Sequence, residues 1–191
     1  MKKNLLIFAT KASFFLLICV SLALVGCERI PQQTDVILTS STIRAIAIIG
    51  PASDSIVTGT ATFTQNGAQI TVLIDIQNAS AGSHGVHIHE NGDCSSPDGK
   101  SAGGHWNPTD VAHGKWGVGE YHLGDLGNIT VGEDGTGSFE LTTDLWEIGT
   151  GSDIDVVGKG IIVHADADDF TSQPSGNAGA RIGCGVIMLA E

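Results

Sequence analysis

Val57-Thr-Gly-Thr-Ala-Thr-Phe-Thr-Gln-Asn-Gly-Ala-Gln-Ile-Thr-Val-Leu-Ile-Asp-Ile76 is the stretch that decides the fold. Val57, Gly59, Ala61 and Phe63 alternate with Thr58, Thr60, Thr62 and Thr64. After Asn66-Gly67, Ile70, Val72, Ile74 and Ile76 alternate with Gln69, Thr71 and Asp75. Successive side chains of a strand point to opposite faces, so this period of two predicts an antiparallel hairpin with one apolar face. The Asn-Gly pair between the two runs is a hairpin turn signal.

Outward from that hairpin the same grammar repeats. Strands are expected from Ile43, at 84–89, at 128–131 and 138–142 around Asp134-Gly135, at 159–164 and at 182–189. That makes eight candidate strands, and no segment shows a helical period. A mature domain of roughly 150 residues can bury one core. The fold class is therefore all-β, an antiparallel sandwich or flattened barrel, and the 26 glycines suit its tight turns.

The histidines are concentrated. All but His164 fall between Gly82 and Asp125: His84, His87, His89, His105, His113 and His122. On a strand over 84–89, Val86 and Ile88 share one face and His87 and His89 the other. An isolated His-x-His is usually just a polar strand face, but four further clustered histidines favour a preorganised pair of metal ligands. His84 sits on the Val86 face and reads as a structural histidine, and Trp106, Trp116 and Trp146 read as packing residues.

His105, His113, His122 and Asp125 lie in a stretch dense in Gly and Pro, a long loop that needs a source of order. Three imidazoles and a carboxylate suit a tetrahedral zinc site. His87, His89 and His164 come from strands, and all-imidazole ligation favours copper among redox metals. His105, deprotonated on both nitrogens, could join the two sets, since bound cations stabilise an imidazolate.

Six motifs carry a resemblance. They are His84-Gly-Val-His-Ile-His89-Glu, Gly104-His-Trp-Asn-Pro108, His122-Leu-Gly-Asp-Leu-Gly-Asn-Ile-Thr130, Val163-His164, Gly176-Asn-Ala-Gly-Ala-Arg181 and Cys184-Gly-Val-Ile187. Together they closely resemble the copper/zinc superoxide dismutases, over Ile43 to Glu191. The resemblance implies an eight-stranded antiparallel Greek-key barrel with long metal-binding and electrostatic loops. It implies dismutation of superoxide to O2 and H2O2 through Cu(II)/Cu(I), with Zn(II) beside it. It puts copper on His87, His89, His105 and His164, and zinc on His105, His113, His122 and Asp125. Asp168 matches the carboxylate that hydrogen-bonds one histidine of each set. Arg181 matches the arginine that guides superoxide, and His105 the proton carrier. Cys94 and Cys184 match the intrasubunit disulfide. That bridge would tie the His105 loop to the last strand and contribute on the order of 3–5 kcal/mol.

The chain departs from the best-known pattern between Asp169 and Gly176, where Phe170 to Ser175 lack a guiding lysine. Arg181 must then do most of the steering, with Lys100 or Lys115 as further candidates. The resemblance allows a homodimer without defining its interface.

At the other end, Met1 to Gly26 contains Lys2, Lys3 and Lys11, no acid, and an apolar run from Ala12 to Val25. Spanning a bilayer takes ~20 apolar residues, so this reads as a signal peptide (residues 1–26). Leu24-Val25-Gly26-Cys27 resembles a bacterial lipobox, which predicts a lipid-anchored Cys27, a tether over 27–42 and the enzyme domain over 43–191. Glu28 points to the outer membrane, facing the periplasm, in a Gram-negative host. Cys19 leaves with the signal, and Cys94 and Cys184 remain as an even pair in an oxidising space.

In the mature chain 21 acids outnumber six bases by 15. This excludes nucleic acid as a partner and leaves a local positive focus to attract an anionic substrate. A non-catalytic copper/zinc-binding protein of the cell envelope is the alternative reading, but Arg181 and the bridging His105 are both retained. A hydrolytic binuclear zinc enzyme fits less well, because Asn91-Gly92 stand where its Asp-His would follow the His-x-His.

Overall fold

The computed structural model describes residues 42–191. The signal segment, Cys27 and the tether up to Ser41 lie outside the described residues, and so does the apolar Val36-Ile37-Leu38.

Among the described residues nine strands follow one another: β1 (Ile43–Pro51), β2 (Thr58–Asn66), β3 (Gln69–Gln77), β4 (Gly82–His89), β5 (Gly127–Val131), β6 (Gly137–Thr143), β7 (Gly160–His164), β8 (Arg181–Val186) and the two-residue β9 (Met188–Leu189). All named strand pairs are antiparallel. The order is β2-β3-β6-β5-β4-β7-β8-β1, and β1 pairs back onto β2, so eight strands close into a barrel. β3 pairs with β6 rather than β4, and β4 pairs with β7, which gives the Greek-key connections. Among the described residues the helical structure is one 3-10 turn, Lys100–Ala102.

Alternation puts Ala61 and Phe63 of β2 and Ile70, Val72, Ile74 and Ile76 of β3 inside. Val86, Ile88, Ile129, Ile161, Val163 and Trp146 complete the same core. Each large side chain fully buried there contributes about 1.5–3 kcal/mol relative to exposure.

Two local expectations shift. Asn66 pairs with Gln69, so the β2–β3 turn residues are Gly67 and Ala68 rather than Asn66 and Gly67. Gly67 has φ 63° and Ala68 does not need a positive φ, which is the Gly-first hairpin turn. The strand expected over 182–189 breaks at Ile187. There Ile187 turns fully inward and its N–H and C=O bond Lys159 and Gly158. β8 pairs mainly with β7, and β9 resumes on β1, so the break is where the chain changes partner.

The barrel positions the site simply. β4, β7 and β8 are neighbours, so His87 and His89, His164 and Arg181 all come from one patch of sheet. The long connections 90–126 and 165–180 lie over it.

Candidate metal centre

On β4, Val86 and Ile88 point into the core while His87 and His89 point outward into the loops, where they are nonetheless buried. β7 pairs Ile162 with His87, and its last residue, His164, adds a third ring on the same side. The 90–126 connection brings in His105 through an isolated bridge to His89. The centroids of His87 and His105 lie 4.0 Å apart, and those of His89 and His105 5.0 Å.

Two groups of ligand atoms result, each with all its atoms within 4.8 Å of one another. They are His87, His89, His105 and His164, and His105, His113, His122 and Asp125. His105 belongs to both.

The hydrogen bonds around these rings set which nitrogen is free. A neutral imidazole has one N–H and one lone pair, so an acceptor on one nitrogen leaves the other as a ligand. His87 Nε2 donates to Asp168 Oδ2 at 2.9 Å, and His89 Nδ1 to the Gly103 carbonyl at 2.9 Å. His164 Nδ1 lies 3.4 Å from the Gly179 carbonyl. His113 Nε2 donates to Asp168 Oδ1 at 3.0 Å, and His122 Nε2 to the Val111 carbonyl at 3.1 Å. Asp125 Oδ1 lies 2.7 Å from His105 Nδ1 and 3.0 Å from His122 Nδ1. Its Oδ2 lies 3.0 Å from His113 Nδ1 and accepts the N–H groups of Gly114 and His122.

What is left over is diagnostic. Among the described residues, the buried side-chain nitrogens without a hydrogen-bond partner are His87 Nδ1, His89 Nε2, His105 Nε2, His113 Nδ1 and His164 Nε2. A buried polar atom left unpaired costs about 1–3 kcal/mol, and five in one place need a common partner. Divalent cations fit them: four imidazole nitrogens at one position, and three imidazoles with a carboxylate at the other.

The titration behaviour agrees. Burial, with the neighbouring rings, holds His89 and His164 well below the usual imidazole range. Burial brings His105 down to about 4, against the opposing effect of its hydrogen bond to Asp125. These rings are neutral at pH 7 and offer lone pairs. Burial works against charge on His113 too, but Asp125 and Asp168 outweigh it and raise that ring to about 9. Both carboxylates are held well below the ordinary Asp range by the same histidines, against the effect of burial.

Arg181, at the start of β8, donates from Nη1 to the Gly99 carbonyl and from Nη2 to the Gly103 carbonyl, both at 2.7 Å. It lines a cavity of about 440 Å³ together with His89, His105, His164, Gln173 and Gly179. The Cys94–Cys184 disulfide is present and ties the 90–126 connection to β8. Lys100 and Lys115 do not line this cavity. Lys100 pairs with Asp98 at 2.8 Å and Lys115 stands over the Phe170 ring. His84 sits apart from both ligand groups, with its nitrogens 2.9 Å from the His164 and Ser80 carbonyls.

The model of the copper/zinc superoxide dismutases (SODC) matches residues 57–187. This chain belongs to the copper/zinc superoxide dismutase family. Copper and zinc are the cofactors that this membership implies, and the two donor groups fit them. The chain is 43% identical over 145 residues to the superoxide dismutase [Cu-Zn] of Deinococcus radiodurans, covering 69% of this chain and 78% of that protein. A crystal structure described as that of the clock protein EA4 superposes with a TM-score of 0.67 at 33% identity, covering 77% of this chain and 94% of that one.

Two residues that the sequence reading quoted only within longer motifs, with no role of their own, belong to the site. Asn128 donates from Nδ2 to the Asp168 carbonyl at 2.9 Å and accepts the Asp168 N–H at 2.7 Å, which fixes the main chain under the bridging carboxylate. Gly176 is the second. Its φ is +65°, and a Cβ there would collide with the Asp168 carboxylate and with His113 Nε2. Only glycine lets the chain pass so close to that pair.

Proposed function

We propose that this chain dismutes superoxide in the cell envelope, two superoxide ions and two protons giving O2 and H2O2. Copper would be held by His87, His89, His105 and His164, and zinc by His105, His113, His122 and Asp125. The observation that carries this reading is the position of His105. Its Nδ1 belongs with Asp125, while its Nε2 is buried and unpaired beside the rings of His87, His89 and His164.

When bound, copper supplies a one-electron couple and zinc a fixed positive charge. The protein does the rest. Arg181 is the cation of the cavity wall and is held by two carbonyls, so it can draw in a small anion and orient it. His105 also lines the cavity and can carry a proton on Nε2 whenever that nitrogen is free, then give it to the reduced oxygen species. Its Nδ1 stays tied to the Asp125 set. Asp168 holds His87 and His113 in the orientation each set needs. An open cavity with a cation in its wall favours turnover over storage.

The envelope location rests on the sequence, through the signal segment and the lipobox ending at Cys27. Multiple acyl chains on one residue would anchor it stably, where a single chain binds marginally.

The test is a dismutation assay with metal analysis on the domain from Thr42 onward. Activity should disappear when copper is removed and return when it is restored. A fully loaded domain with no dismutation, and with His105 touching a single ion in its oxidised form, would refute the reading.

A further inference from the structure

The wall of the cavity that Arg181 lines also includes Gln173, Pro174 and Ser175, from the segment that lacks a guiding lysine. Gln173 is exposed, yet its amide is engaged with the main chain, chiefly that of His113, with a longer donation from Nε2 to the Thr171 carbonyl at 3.4 Å. Its Oε1 accepts the His113 N–H at 2.9 Å and its Nε2 donates to the His113 carbonyl at 2.9 Å. A primary amide presents a donor and an acceptor side by side, so it can grip both polar groups of one residue as a neighbouring strand would.

His113 is thereby held from two sides. Its ring is tied to Asp168 through Nε2, and its backbone to Gln173. The next residue, Gly114, donates its N–H to Asp125 Oδ2. The segment that carries Gln173 is itself closed. Asp169 Oδ1 accepts the Thr171 and Ser172 N–H groups, Ser172 accepts from Gly176, and Phe170 donates to Asp168 Oδ1. The wall of the cavity and the main chain that aims His113 Nδ1 at Asp125 are therefore one hydrogen-bonded body, with Gln173 as the clamp between them.

We propose that Gln173 is a positioning residue for the zinc site. It fixes the His113 backbone so that Nδ1 is presented to the ion, and through the same contact it ties the mouth wall to zinc occupancy. This rests on the reading that His105, His113, His122 and Asp125 hold zinc. Outer contacts that orient a ligand typically change metal affinity 10- to 100-fold when removed. Because Gln173 acts on a zinc-side ligand alone, the effect should be selective for zinc over copper.

The experiment uses the full chain, purified in detergent and loaded with both metals, as wild type, Gln173→Ala and Gln173→Glu. Zinc release to a chromogenic chelator is timed, copper is followed by its visible absorption, and exchange of the His113 amide is measured. Gln173→Ala should release zinc about tenfold faster and speed exchange at His113, with copper retained. Gln173→Glu keeps the acceptor but sets a carboxylate against the His113 carbonyl, so its release should also be faster. The thermal midpoint of the metal-free protein should stay at the wild-type value, since the clamp acts on an exposed segment. Wild-type zinc release in both variants overturns the inference while leaving the zinc assignment standing. A fall of the metal-free midpoint in step with zinc loss also overturns it, because it reveals a general structural role. A wild-type protein that carries no zinc on this set overturns both.

Discussion

Arg181 and His89 hydrogen-bond the same acceptor, the carbonyl of Gly103, Arg181 from Nη2 at 2.7 Å and His89 from Nδ1 at 2.9 Å. The cation of the cavity wall and a ring whose Nε2 is buried and unpaired are thus aligned by one oxygen. That oxygen follows the 3-10 turn Lys100–Ala102, in the connection that the Cys94–Cys184 bridge ties to β8.

Removing the guanidinium should separate attraction from metal binding. In Arg181→Ala the Gly103 carbonyl still accepts from His89, so copper and zinc contents should match the wild type. The second-order rate constant for superoxide should fall about tenfold or more, and its dependence on ionic strength should flatten, since the local field is what steering uses. Loss of copper from the variant would contradict this division of roles.

Asp168→Asn tests the link between the two donor groups. Asp168 accepts from His87 Nε2 and His113 Nε2 and is buried. An amide offers one acceptor where the carboxylate offers two, so one ring loses its orienting partner. Metal competition titrations should show about 10- to 100-fold weaker retention. Unchanged affinity for both metals would remove Asp168 from the site.

Reduction of the disulfide, or Cys94→Ser, should cost about 3–5 kcal/mol of stability, because the bridge closes a loop with a sequence separation of 90. Denaturant unfolding of the metal-free protein measures it. The same change should loosen Gly99 and Gly103, the two carbonyl partners of Arg181, and so reduce activity at constant metal content.

The metal-free protein should be most stable near pH 6.5. His113 is raised to about 9, so its contribution is complete below 6.5 and is lost as pH rises through 9. His105 is lowered to about 4, with His89 and His164 lowered in the same direction, so their contribution is present above 6.5 and is lost as pH falls toward 4. Thermal midpoints between pH 4 and 9 should form a dome. A monotonic rise to pH 9 would contradict the protonated state of His113.

Cys27→Ser should release the protein from membranes, because the acyl anchor has no other attachment point in the proposed lipobox. Fractionation of cells expressing the variant measures it. Continued sedimentation with membranes would refute lipid anchoring.

Alternation was enough to place the strands and their inward faces. Ile70, Val72, Ile74 and Ile76 face inward as their period of two requires, and the same rule put His87 and His89 together opposite Val86 and Ile88. Strand geometry is local, so it is written in neighbouring residues. The break at Ile187 was not, because it depends on β8 leaving β7 and β9 resuming on β1. Nor were the contacts of Asn128 with Asp168 and of Gln173 with His113, 40 and 60 residues apart. By itself the sequence determined the strands, the family and the inventory of donors. Only the tertiary structure decided which nitrogen of each ring is left free, because that depends on carbonyls and carboxylates brought alongside by closure of the barrel and the packing of two distant loops.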